Sequence, residues 1–464
     1  MRYTKEELFE SLSIPRAVAA LSVPTVLSSL VMVLYNTADT YFVGLLNDPV
    51  QTAAVTLAAP VLLAFNAVNN LFGIGSSSML SRALGSKDSE TVRRSSAFGF
   101  YGSFFAGILF SVLCVIFQPQ LLRLIGTDST TADATQSYLL WTVSFGAAPS
   151  ILNVVMAYLI RAEGAAVHAS IGTMSGCILN IVLDPIFIMP WGLNMGAAGA
   201  GLATFLSNCF AVLYFLIYLF AKRGKTVVCI SPKAFGFRKN IVKGVMGVGV
   251  PASIQNLLNV TGSMILNNLA APFGAAALAA MGICTKINTI PMYIAQGISQ
   301  GVMPLISYTY ASGDHTRMKK TLRFSAIISE SILILSTLVM FFASEPLNRV
   351  FIDDPETITY GARMLKGFCL AQPFLAFDFL VVALFQATGF GRESLVFAIL
   401  RKVVFEIPFI FLFNYLWPLY GLPYAQAAAE VLMTIIAAVT LRQFFKNLKQ
   451  NAPPPITYKK NGTA

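Results

Sequence analysis

"PTVLSSLVMVLYNTADTYFVGLL", residues 24–46, is long enough to cross a bilayer and carries one full charge, Asp39. A spanning helix needs about 20 mainly apolar residues. A carboxylate near the centre of the hydrocarbon costs ~2.5–3.5 kcal/mol on insertion scales, so it faces a cavity or a partner rather than lipid. The rest of the chain has to supply that surrounding.

Of 464 residues, 56% are hydrophobic and 11% charged, too little charge to cover a soluble protein of this length. The chain reads as an all-α polytopic membrane protein. Twelve candidate spans fall at about 17–43, 53–79, 95–117, 135–160, 169–189, 196–220, 244–271, 277–308, 322–343, 359–386, 396–413 and 422–441. An even number puts both termini on one side. Lys and Arg flank that side 27 to 4, with Arg401 and Lys402 counted there, so both termini are expected to be cytoplasmic. The opposite side holds Arg123, Arg349, Arg363 and Lys366, and Lys286 lies inside a span.

The same asymmetry accounts for the net charge of +11 without nucleic acid, because no basic stripe carries interleaved aromatics. The six cysteines are scattered, form no C-x-x-C pair and read as small apolar residues. The N-terminal "MRYTKEELFESLSIPRA" is charged and leads into a full-length span without a small-residue cleavage site. The first helix is therefore expected to stay.

A long basic loop at the midpoint separates two halves that resemble each other. "SVPTVLSSL" parallels "GVPASIQNL", aligning Pro24 with Pro251; further matches pair Gly85 with Gly313, Gly164 with Gly389 and Pro185 with Pro408. These divide the chain into an N-lobe (1–221), a linker (222–243), a C-lobe (244–449) and a disordered tail (450–464). Six spans per repeat give both halves the same topology. Parallel repeats imply a pseudo-two-fold axis along the membrane normal, with a site between the lobes.

Enzyme chemistry finds no footing. The two histidines, His168 and His315, sit in loops, so no zinc-protease motif or metal cluster assembles within the membrane. "FGIGSS" lacks the strand and lysine of a phosphate loop, which removes nucleotide as an energy source. Transport energy would then come from an ion gradient acting on a titratable or cation-binding group in the membrane.

Asp39 and Asp184 are the leading candidates. Tyr35 and Asn36 share the helix face of Asp39, and Asn180 shares that of Asp184. Pro185 deprives a carbonyl of its helical donor, exposing it to water or a cation. At an offset of 228 residues Asp39 corresponds to Asn267, and at 223 Asp184 corresponds to Ile407, so the acidic pair is peculiar to the first half. The alternative is a satisfied buried carboxyl that only fixes helix register.

In the second half, Asn256, Asn259, Ser263 and Asn267 form a polar stripe on span seven, and Thr285, Thr289, Tyr293, Gln296 and Gln300 form another on span eight. They are expected to face a wet substrate cavity or another helix, with Tyr35, Asn36 and Lys286 as further candidates for the cavity wall. Asp378 is expected either to meet a cationic substrate or to pair with Lys286. Glu330, Glu406 and Glu430 are read as snorkelling or helix-pairing groups.

The strings "SVP", "NTADTYFVG", "GSKD", "RAEG", "LNIVLDPIFI", "MGAAGAGLAT" and "LFQATGFGR" follow one another in the order found in the multidrug and toxic compound extrusion (MATE) family, which the chain resembles over all twelve spans. The resemblance implies two six-helix lobes in a V shape and a bacterial inner-membrane location. It also implies export of amphipathic, often cationic drugs against H+ or Na+. The ion network it implies is Asp39, Tyr138, Asn180, Asp184 and Thr204, with Na+ at Asp39, Asn180 and Asp184 as the metal alternative, and Pro24 as the bend of the first helix. A departure is that span seven lacks the acid used by other branches of the family, although Asp378 resembles their span-ten acid.

The expectation is a monomeric antiporter in contact with lipid, with no bound cofactor, nucleotide or nucleic acid. A flippase for a lipid-linked precursor is the near rival, and it would want cationic side chains in the central cavity. A membrane-embedded enzyme and a non-transporting scaffold are the distant ones.

Overall fold

The computed structural model describes residues 4–450, and no strand occurs among the described residues. The tail expected to be disordered lies outside them, apart from Gln450. The first half comprises α1 (Ile14–Gly44), α2 (Pro49–Gly85), α3 (Ser89–Ile116), α4 (Ala132–Phe145 and Ala147–Ala162), α5 (Ala166–Ile188) and α6 (Ala197–Ala221). The second comprises α7 (Lys239–Ala270), α8 (Ala275–Ala311), α9 (His315–Phe342), α10 (Pro355–Cys369 and Gln372–Thr388), α11 (Gly391–Ile399, Leu400–Glu406 and Ile407–Leu416) and α12 (Leu422–Gln450). In hydrocarbon every backbone polar group needs an internal partner, and the helix supplies one to each.

Nine of these helices are long and apolar enough to cross a membrane, and α4 and α10 qualify as pairs bent by 49° and 44°. The twelfth, α11, is the charged one. Arg401 and Lys402, expected on the face that carries the termini, instead sit midway along α11 in the π-helical turn Leu400–Glu406, 5% and 7% exposed. They stay there because carboxylates accompany them, as described below. The rest of the Lys and Arg asymmetry is untouched.

The two halves repeat each other in detail. Their third helices lead into short helices, Gln118–Leu124 and Ser344–Arg349; their fourth helices bend; and left-handed glycines, Gly164 (φ +89°) and Gly389 (φ +86°), precede the fifth. Asp88 caps α3 by accepting from the Thr91 N–H, and Asp314 caps α9 by accepting from the Arg317 N–H. The Thr91 hydroxyl also donates to Asp88 (2.6 Å), and with the Thr91 N–H it holds the Asp88 carboxyl below the usual carboxylate range.

The equivalent caps fix the offset at 226 residues, two fewer than the Gly85–Gly313 match gave. Asp39 then falls opposite Ile265, or Leu266 by the Pro24–Pro251 match on the same helices, rather than Asn267. The sequence match misled because the left-handed residue before the cap is Gly313 (φ +81°) in one half and Lys87 (φ +60°) in the other. The acid remains peculiar to the first half.

Each lobe has its own apolar core, around Phe98, Ile151 and Phe215 in the first and Met281, Met364 and Phe368 in the second. The lobes meet where α2 packs on α7 and α1 on α8. A Cβ on Gly249 would strike the Leu71 carbonyl, and one on Gly301 would lie 2.6 Å from the Ser22 Cα, so the glycines permit backbone-to-backbone approach. Ser22 Oγ donates to the Ile298 carbonyl across the seam (3.4 Å).

These contacts all lie in the helix halves nearest the face carrying the termini. Toward the opposite face this burial stops: α1 has buried residues through its first half, Ala17 to Ser28, and none from Ser29 to Phe42. The arrangement is a V, sealed at the terminal face and open at the other.

Nothing crowds Gly313, so substitution there tests the backbone alone. Gly313→Val is expected to cost ~1–2 kcal/mol through left-handed strain and to lower the thermal midpoint in detergent. Lys87→Gly is expected to be no less stable than the parent, since glycine relieves the equivalent strain.

Candidate functional site

The acidic set of the first lobe is built from α1, α4, α5 and α6. Gly201 brings α6 against α4, where an added Cβ would lie 3.0 Å from the Tyr138 carbonyl, and Gly176 brings α5 against α6, where an added Cβ would lie 3.1 Å from the Ala211 Cβ. Those approaches place Thr204 beside Asn180. With its amide nitrogen toward Asp184, Asn180 donates to Asp184 Oδ2 (3.0 Å) and accepts from Thr204 Oγ1 (3.3 Å) and the Thr204 N–H (3.1 Å).

Tyr35 Oη lies 3.5 Å from Thr204 Oγ1. Tyr138, Asn180 and Asp184 are buried, and Asp39 is half-buried with Tyr138 and Asp184 within electrostatic reach. Asn36, on the same helix, is exposed and joins no part of this network through its side chain.

Neither Asp39 Oδ1 nor Asp184 Oδ1 has a protein hydrogen-bond partner, and no Lys or Arg pairs with either acid among the described residues. Two carboxylates within electrostatic reach of each other and without a cation favour taking up a positive charge. The described residues hold no cluster of three His, Cys, Asp or Glu that would hold a metal. A Na+ would therefore draw on the Asn180, Thr204 and Tyr35 oxygens as well as the carboxylates. A proton needs one carboxyl oxygen.

One layer outward, Asn208 donates to the Thr204 carbonyl (2.9 Å) and accepts from Asn153 Nδ2 (2.9 Å). The only sequence signal for this pair is that Thr204 and Asn208 stand four apart on one helix face. Pro24 lies within α1, which runs unbroken past it. The Pro24 ring leaves the Ala20 carbonyl without its helical donor, and Thr25 Oγ1 donates to the adjacent Leu21 carbonyl (2.8 Å).

Between the lobes lies a cavity of ≈ 750 Å³. Its wall includes Asn256, Asn259, Ser263 and Asn267 of α7, and Thr285, Lys286, Thr289, Tyr293, Gln296 and Gln300 of α8. The first lobe adds Ser29, Met32, Asn66, Asn69, Asn70 and Tyr158. Tyr35, Asn36 and Asp378 are not part of this wall.

Asp378 is buried behind the wall and paired with Arg401, not Lys286 (Nη1 to Oδ2, 3.3 Å), and Arg401 Nε lies 2.8 Å from Glu430 Oε1. Lys402 pairs with Glu406 (2.6 Å) over Gly262, whose missing side chain makes room for the ammonium. Glu406 and Glu430 thus pair between and along helices rather than snorkel. Arg401, Lys402 and Glu406 line the cavity, and sequence reading missed the two cations because such charges resemble a loop.

Removing Arg401 strands Asp378 and Glu430 as buried anions, which typically costs ~3–5 kcal/mol. Arg401→Met is expected to reduce monodisperse protein on size exclusion sharply. Adding Asp378→Asn and Glu430→Gln to it is expected to restore most of the yield.

The MatE family model matches the chain twice, over residues 24–186 and 251–412, once in each half. The chain is 31% identical over 430 residues to a multidrug export protein MepA of Staphylococcus saprophyticus, covering 92% of this chain and 94% of that one. It is 30% identical to a MepA of Staphylococcus aureus with the same coverage. A structure described as the outward-facing conformation of a multidrug resistance MATE family transporter superposes with a TM-score of 0.91 at 24% identity, covering 97% of this chain and 99% of that one. Twelve helices in two matched lobes, sealed at one face around a polar cavity, place the chain in the MATE family of multidrug transporters.

Proposed function

We propose that this chain exports amphipathic, mainly cationic compounds across the bacterial cell membrane in exchange for H+ or Na+, by alternating exposure of the cavity to the two faces. The observation that carries it is the first-lobe acidic pair, two membrane carboxylates without a cationic partner. Asp39 sits on α1, which forms the seam with α8, and Asp184 on α5, which packs against α1. The Lys and Arg bias supports a cytoplasmic terminal face, so the V is open to the outside.

In this state Asp39 and Asp184 take up the ion from outside, which removes their mutual repulsion and lets α1 repack against α5. That repacking alters the seam through α1 and α8, and substrate leaves from the open cavity. With the lobes tilted the other way, the ion is released to the cytoplasm, and the reionised acids favour loading of the next cation. A membrane potential adds ~2.3 kcal/mol per charge per 100 mV where the exchange moves net charge. Both lobes belong to one chain, so the cavity is complete in a monomer. We place the lobes at 1–221 and 244–449, joined by 222–243.

Arg401 and Lys402 raise the cationic content of the wall, as a phosphate-handling flippase would need. Both are already neutralised by Asp378, Glu430 and Glu406, leaving Lys286 without a carboxylate partner among the described residues. The multidrug reading therefore stands.

Reconstituted protein with independently imposed pH and Na+ gradients tests the proposal. Asp39→Asn and Asp184→Asn are each expected to lower gradient-driven efflux of a fluorescent cationic amphiphile at least tenfold while leaving insertion intact. Undiminished efflux in either variant under the driving gradient would contradict the role of that acid.

A further inference from the structure

The segment before α1 is folded and wedged into the seam. Thr4 and Glu7 cap each other, the Thr4 N–H donating to Glu7 Oε2 (2.8 Å) and the Glu7 N–H to Thr4 Oγ1 (3.1 Å). The turn that follows, Glu7–Ser11, buries Leu8 and Phe9, the latter to 1% exposure. These residues form an apolar cluster with Ala166 of α5 on one side and Leu305 and Tyr308 of α8 on the other.

Its ties to the first lobe are ionic and covalent. Lys5 Nζ lies 2.9 Å from Glu163 Oε2 in the α4–α5 loop and donates to the Lys225 carbonyl (2.8 Å). Glu163 is fully buried and also accepts from Tyr218 (3.0 Å), Thr226 Oγ1 (2.9 Å) and the Val227 N–H (2.8 Å). Leu8 and Phe9 pack over Gly164, and Pro15 in the first turn of α1 stiffens the join.

Ties to the second lobe are fewer and of another kind. The Phe9 and Tyr308 rings stack at 4.8 Å with 11° between planes, and Tyr308 Oη donates to Glu10. The Arg317 guanidinium of α9 donates to the Leu8 (3.2 Å) and Leu12 (2.7 Å) carbonyls, which end the turn without helical donors.

We infer that residues 4–12 are a latch that holds the terminal face shut and must release α8 and α9 before the cavity opens there. The inference rests on alternating access. Parting of the lobes at this face separates Glu163 from Tyr308 and Arg317, and the segment cannot follow both. Its buried ion pair, its packing over Gly164 and its join to α1 keep it with the first lobe. The Phe9–Tyr308 stack and the Arg317 hydrogen bonds are the contacts that break. Losing them disfavours only the closed terminal face, because they are absent once it opens.

Spin labels at Lys87→Cys and Lys320→Cys, in full-length protein lacking its native cysteines, report the separation of the lobes at this face. Phe9→Ala and Arg317→Gln are each expected to increase the long-distance population at least threefold, and Phe9→Tyr to leave it near the parent value. Populations equal in the parent and both loss variants would overturn the latch alone. Absence of a long-distance population under every imposed gradient would overturn alternating access and the latch with it. As a second test, joining Phe9→Cys to Tyr308→Cys with a reducible bis-thiol linker is expected to stop efflux, and reductant to restore it. Efflux that continues in the linked protein would refute the latch.

Discussion

A charge in hydrocarbon must be compensated, and the two lobes meet that requirement in opposite ways. In the second lobe Asp378, Glu406 and Glu430 each have Arg401 or Lys402 as a partner, so the charges are locked into α11 and its neighbours. In the first lobe Asp184 accepts from the Asn180 amide and Asp39 lies within electrostatic reach of the Tyr35 and Tyr138 hydroxyls, but neither acid has a cationic partner among the described residues. The incomplete compensation leaves a place for a mobile cation. The rest of the architecture can be understood as what holds that place next to a movable seam.

The seam depends on small residues. Gly249 and Gly301 let helix backbones of opposite lobes touch near the terminal face, where a larger side chain would prise the V open at its apex. Polar groups line the cavity just above, so the seal is a close contact of small residues tied by serine hydroxyls such as Ser22 to Ile298, while the chamber is polar. Packed interfaces of this kind switch between discrete arrangements more readily than they deform. The folded N-terminal segment adds a third body to the contact, tied to one lobe by a buried carboxylate and to the other by an aromatic stack and an arginine.

Much of this was legible in the sequence. Hydrophobic run length located all twelve spans, and the paired glycines and prolines disclosed the repeat. Helical spacing joined Asn180 to Asp184, while the family resemblance added Tyr138 and Thr204. Three features were hidden for physical reasons. Arg401 read as a loop residue because its compensation comes from Asp378 and Glu430, distant in sequence and near only in the fold, whereas the partner of Lys402, Glu406, stands only four residues on. The repeat register slipped by two because Lys87 adopts the left-handed conformation that glycine adopts at position 313. The N-terminal segment read only as a charged stretch ahead of the first span, since Leu8, Phe9 and Leu12 are too few to form an amphipathic pattern, although the Thr4 and Glu7 spacing is that of a capping box.

The central claim is that an ion and a substrate cation are linked through Asp39 and Asp184. The direct measurement is equilibrium binding of a cationic amphiphile to the purified protein across pH and Na+ concentration, for the parent and for the Asp39→Asn, Asp184→Asn double variant. In the parent, affinity is predicted to fall as the coupling ion is added, approaching tenfold per pH unit if that ion is a single proton, because the two cations oppose each other's binding. In the double variant that dependence is predicted to vanish for both ions. A double variant that keeps the parent's dependence would contradict the account.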